Sequence, residues 1–174
     1  YGTDVDIAGD MVVVGAIRAN VFTYDDAYGA AYVFTKPATG WSGTVTHTAK
    51  LYPDTPASGD RRFGLAVAIE DETIAVSEPD VDSNRGAIFL FNKPTGGWSG
   101  LMTQTTYMTV TDGSPDYYNE NVGESLAMHG NTIVAGAPEA PVDDTLQQGA
   151  VYVFGPEIIV KTVTPTTNVA YHGV

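Results

Sequence analysis

Apolar and polar positions along this chain fall into three rounds of the same order. Each round opens with an alternating stretch: Val5 and Ile7, Val67 and Ile69, Leu126 and Met128 stand two residues apart. A period of two predicts strands with one face toward a core. A two-residue turn follows each, at Gly9-Asp10, Asp71-Glu72 and Gly130-Asn131. The first and third suit a tight hairpin with positive φ. Then come continuous apolar runs at Met11–Ala16, Thr73–Ser77 and Thr132–Ala137, which predict strands covered on both faces. The third element is a block of the form G-A-x-aromatic-x-Phe at 29–34, 86–91 and 149–154. A fourth, polar and Thr-rich strand is predicted over Thr44–Tyr52 and over Leu101–Val110, as suits an outer edge.

The rounds also share their punctuation. Gly2, Gly64 and Gly123 are 62 and 59 residues apart, and K-P-A-T-G-W-S-G at 36–43 recurs as K-P-T-G-G-W-S-G at 93–100. No such block follows Phe154, where the chain reads G-P-E-I-I-V-K. Four antiparallel strands in about 60 residues, repeated with turn residues in register, predict an all-β protein of propeller blades. The units are 1–62, 63–121 and a partial third at 122–155, with 156–174 left as a C-terminal strand or a linker. Three blades make an incomplete ring, since closure takes about four to eight. The chain is therefore expected either to be part of a longer propeller or to complete one with neighbouring chains through open sheet edges.

Phe63-Gly64, Gly136-Ala137-Pro138 and Gly149–Phe154 resemble the FG-GAP repeat of integrin-α-like propellers and bacterial surface proteins. The likeness runs from residue 1 to about 155. Tyr1 and Val122 stand where the repeat has Phe, and Ser77-Glu78-Pro79 where it has G-A-P. The calcium loop of integrin-type repeats has no counterpart, because only the two-residue turns occupy that place. The resemblance therefore implies a calcium-free bacterial subtype. Residues 156–174 weakly resemble the opening of a bacterial immunoglobulin-like surface repeat. The other reading makes Ile158–Val163 the missing outer strand of the third unit.

Composition agrees with strands. Val and Ile number 28 and Thr 21, against 6 Leu. A net charge of −13 argues against nucleic acid and anionic membrane as partners. No apolar run reaches the roughly 18 residues of a spanning helix. With no cysteine, disulfides and thiolate metal sites are excluded.

Candidate chemistry is sparse. His47, His129 and His172 fall at unrelated places in the repeat and read as surface residues, and no nucleophile, zincin or phosphate-loop motif occurs. The loops at Ile17–Tyr28, Pro79–Arg85 and Pro138–Gln148 vary in length, and each carries acids: Asp25 and Asp26, Asp80 and Asp82, Asp143 and Asp144. Asp80, Asp82 and Asn84 place oxygen side chains at alternating positions, like the first half of a calcium loop. A solvated acidic loop on an acidic protein explains the same residues more simply. Trp41 and Trp98 recur in register and read as hairpin packing. Tyr24, Tyr107, Tyr117 and Tyr118 are not repeated and are the contact candidates.

These features lead to one expectation: a non-catalytic, extracellular or cell-surface segment of a large bacterial protein. It would bind protein or glycan in adhesion or assembly, without cofactor unless calcium. Two alternatives are a self-assembling structural subunit pairing through blade edges and a fragment of a secreted carbohydrate-active enzyme.

Overall fold

The structure is a computed structural model describing residues 1–21, 28–54, 61–110, 120–141, 147–155 and the backbone of 161–163. The described chain is all-β but for one helical turn at Val81–Asn84. Its strands are β1 (Val5–Ala8), β2 (Met11–Ala16), β3 (Ala30–Thr35), β4 (Ala49–Tyr52), β5 (Val67–Glu70), β6 (Thr73–Glu78), β7 (Ala87–Asn92), β8 (Gly100–Thr103), β9 (Thr106–Thr109), β10 (Ser125–His129), β11 (Thr132–Ala137), β12 (Ala150–Phe154) and β13 (Lys161–Val163).

They form three sheets: β1-β2-β3-β4-β8, β5-β6-β7-β9 and β10-β11-β12-β13. The first three strands of each sheet are antiparallel neighbours in chain order, in matching register: Val14 opposes Tyr32, Val76 opposes Phe89 and Ala135 opposes Tyr152. The hairpin between the first two strands turns on a left-handed residue each time, Gly9 (φ 56°), Asp71 (φ 49°) and Gly130 (φ 57°). The middle turn therefore takes the same form as the other two, with an aspartate in place of glycine; Asp tolerates this region better than most side chains.

The fourth strands differ from the pattern read above. In the first sheet only Ala49–Tyr52 of the expected Thr44–Tyr52 is strand. The expected Leu101–Val110 strand is two strands on two sheets. β9 closes the second sheet against β7, while β8 crosses over and pairs parallel to β4 of the first. The third sheet receives its outer strand from β13, antiparallel to β12.

The sheets pack face to face. One core, between the first and second, joins Val13, Val33 and Leu51 to Phe63, Val67, Ile69 and Phe89. A second, between the second and third, joins Ala75 and Ile88 to Val122, Ile133 and Tyr152. Polar groups seal each seam differently. Asp4 just before β1 and Asp6 on it accept backbone N–H groups of Val67 and Ile69 on β5, each at 2.8 Å. The repeat places Ala66 and Ala68 at those positions of the second sheet. The second seam is held instead by Arg62 donating to Glu124 at 2.7 Å and by His129 with Glu70 at 3.1 Å.

Candidate functional site

A groove of about 700 Å³ opens between the second and third sheets. Leu90, Met108, Met128 and Ile133 supply apolar lining, and Glu70 and Asn92 add polar groups. Tyr107 on β9 pairs with Phe89, and its 58%-exposed ring stacks on the Phe89 ring, centroids 5.8 Å apart, on the face of the sheet toward the first sheet. Glu70 takes His129 with one oxygen; the other, Oε2, is buried and has no hydrogen-bond donor. A buried acceptor in that state favours a ligand with a polar hydrogen to give.

The repeat gives this groove a counterpart. At the seam of the first and second sheets, the matching groove, of about 600 Å³, has Trp98 in its lining beside Ala8, Met11 and Thr35. Trp98 is 6% exposed and donates its Nε1–H to the Met11 sulfur at 3.1 Å. Its loop then runs straight into β8 on the first sheet. At the second seam the equivalents of Met11 and Thr35 are Thr73 and Asn92, paired in the same register. The third repeat has no W-S-G block to send there, and only residues 155–160 separate β12 from β13. Between β7 and β9 the chain has residues 93–105 for the corresponding path. Trp98 thus packs across a sheet boundary and not within its own hairpin, as the recurrence had implied. Trp41, in the same motif, is 43% exposed.

The acidic loop at 79–85 is built differently from a cation site. Arg62 grips Asp80 bidentately, Nε to Oδ2 at 2.8 Å and Nη2 to Oδ1 at 2.7 Å. These hydrogen bonds also hold the Arg62 guanidinium charged, well above its usual range. Asp82 faces Arg85 at 3.7 Å with its side chain 60% exposed. The Asn84 backbone carbonyl accepts the Asn121 N–H at 2.9 Å. Asp82, Ser83 and Asn84 are all left-handed, with φ of 53°, 60° and 68°, so successive side chains do not alternate as they would along an extended loop. Among the described residues no three His, Cys, Asp or Glu side chains meet in a way that could hold a metal ion. Below the loop, Glu78 is 1% exposed and paired with Arg61 at 2.9 Å.

Of the contact candidates, Tyr107 is exposed but lays its ring on Phe89, on the face of the second sheet away from the groove's apolar lining. Tyr24, Tyr117 and Tyr118 lie outside the described residues, as do Asp25, Asp26, Asp143, Asp144 and His172. Sequence reasoning missed Glu70, Asn92 and the apolar lining; the signal that could have found them was the missing third W-S-G block. His47 packs edge-on to Tyr32, centroids 5.0 Å apart. Among the described residues no helix is long and apolar enough to cross a membrane.

Comparison with known families gives one finding: residues 45–91 match the model of the FG-GAP repeat. That stretch runs from β4 through β7. No curated protein matches the chain.

Proposed function

Because residues 45–91 carry an FG-GAP repeat, we propose that the three sheets are propeller blades of an extracellular adhesion or assembly module that binds its partner without chemistry. The repeat match carries this reading, since FG-GAP repeats are generally non-catalytic and of the protein-binding, adhesion type. The groove between the second and third blades is the contact site. Its apolar lining and the unmatched Glu70 oxygen suit a protein loop or a glycan that offers both an apolar face and hydroxyl or amide donors. The protein would belong to a secreted or cell-surface assembly of bacterial origin, where an acidic exterior keeps such modules soluble.

The test is a binding panel of surface glycans and cell-surface proteins against the whole chain, run beside a glycan hydrolysis assay. A saturable ligand is expected, with no turnover, weakened at least about tenfold by Glu70→Ala. A melting curve of the variant controls for the loss of the His129 contact. Turnover in the assay would sink the non-catalytic reading. Binding that ignores Glu70→Ala would place the contact elsewhere.

A further inference from the structure

Each internal seam is closed by the same device. At the first, Phe63-Gly64 enters the face of the first sheet. Phe63 is fully buried and bridges Gly29 in parallel, and a Cβ on Gly15 or Gly29 would come under 3 Å from the carbonyls of Gly64 and Phe63. At the second, Val122-Gly123 enters the face of the second sheet. Val122 is 1% exposed, and a Cβ on Gly86 would come under 3 Å from the Val122 backbone. Gly64 and Gly123 adopt the same left-handed conformation, φ 86° and 100°. The repeat unit therefore has a plug on one face and a glycine-lined socket on the other.

Among the described residues, nothing packs against the plug of the first sheet. Gly2 has φ 79°, and none of those residues places an atom within 4 Å of a Cβ built on it. Tyr1 already lies on Tyr32, centroids 4.2 Å apart, as Phe63 lies on Phe89 at 5.4 Å. Tyr1, Val5, Ile7 and Trp41 are 74%, 61%, 62% and 43% exposed. Their counterparts Phe63, Val67, Ile69 and Trp98 are 0%, 3%, 5% and 6% exposed. At the second seam Val122 is likewise buried, and Leu126 and Met128 are half-buried.

The third sheet displays the empty socket. Gly136 and Gly149 stand where the first sheet has Gly15 and Gly29. The atoms nearest a Cβ on either come from Ser125 and Pro138 of their own sheet, and not from another backbone. Together with Ala137, Pro138 and Val151 they line an open groove of about 300 Å³. Val151 at its edge is 38% exposed.

We propose that these two faces are the halves of one interface, and that a second copy of this chain docks its first sheet on the third sheet of its neighbour. The Trp41 loop would then reach toward the neighbour's outer strands, as Trp98 and β8 reach the first sheet. The contact is heterologous, so it either closes into a ring or extends. The proposal rests on the repeat seen in the two internal seams and names a partner for surfaces away from the groove between the second and third sheets.

Sedimentation of the 174-residue chain over a concentration series tests it, with two variants that each disable one face. Val5→Asp/Ile7→Asp spoils the plug and Val151→Asp the socket, at exposed positions where melting curves should stay close to the parent. The parent is expected to self-associate, and each variant alone to do so at least about 30-fold more weakly. Mixed in equal amounts, the variants should form a one-to-one dimer that grows no further, because each retains the half the other lacks. A chain that stays monomeric at about 1 mM overturns the proposal. So does self-association that both variants leave intact, or variants that fail to recognise each other. Ligand binding at the groove between the second and third sheets is indifferent to all of these outcomes, so either proposal can fail alone.

Discussion

Glu78 shows how one buried carboxylate sets a pH dependence. Burial pushes its carboxyl above the ordinary glutamate value, the Arg61 hydrogen bond and charge pull it part of the way back, and Asp80 pushes it up again. Its second oxygen has no donor, so the charged form is incompletely repaid for leaving water. A folded-state pKa above the unfolded one means that the native state binds the proton more tightly. The stability from this group is complete below the unfolded value and is lost as pH rises through the folded value. Glu78→Gln keeps an acceptor for Arg61 and removes that loss. Urea denaturation should show the variant gaining on the parent as pH rises from about 4 toward neutrality. A difference independent of pH would show that Glu78 carries no such shift. Asp80 lies in the same loop but faces a cation directly; with both its oxygens on Arg62, millimolar calcium should leave the melting temperature unchanged.

Between strands, the W-S-G loop decides how strongly two sheets hold together. Trp98 is buried at the first seam and delivers β8 to the edge of β4, extending the first sheet to five strands. Trp98→Ala should cost about 3–5 kcal/mol, the range for a large aromatic removed from a packed site. The same change at Trp41, which is 43% exposed, should cost about 1 kcal/mol or less in the monomer. Chemical denaturation of both variants checks the contrast, and equal losses would show that the two loops are packed alike. The recurrence of the motif was legible in the sequence. The direction of its reach was not, because a repeat specifies a local conformation and the neighbouring sheet supplies the contact.

Across the whole molecule, the sheets differ in how much of them is covered. The second has a neighbour on each face, and all of β6 after Thr73 is buried. The outer sheets each have one open face, which leaves Val5 and Ile7 exposed on the first and Val151 on the third. Local opening needs less free energy where fewer apolar contacts are broken. Amide exchange should therefore be slowest in β6 and β7, faster in β2 and β11, and fastest in β1. Uniform protection across the three sheets would contradict the open-faced arrangement. The proposed self-association would cover both of these faces.

Periodicity and turn chemistry in the sequence by themselves determined the three rounds, the first three strands of each, their register and their hairpins. Alternation fixes which side chains share a face, and Gly or Asp at the turn allows the left-handed residue the hairpin needs. Only the tertiary structure decided which seam carries a buried tryptophan and which does not. It sent β8 to the first sheet, set Arg62 on Asp80, and left the groove between the second and third sheets without a tryptophan where the third W-S-G block is missing. Those outcomes depend on what stands across a sheet boundary, and side-chain contact across such a boundary leaves no period in the chain.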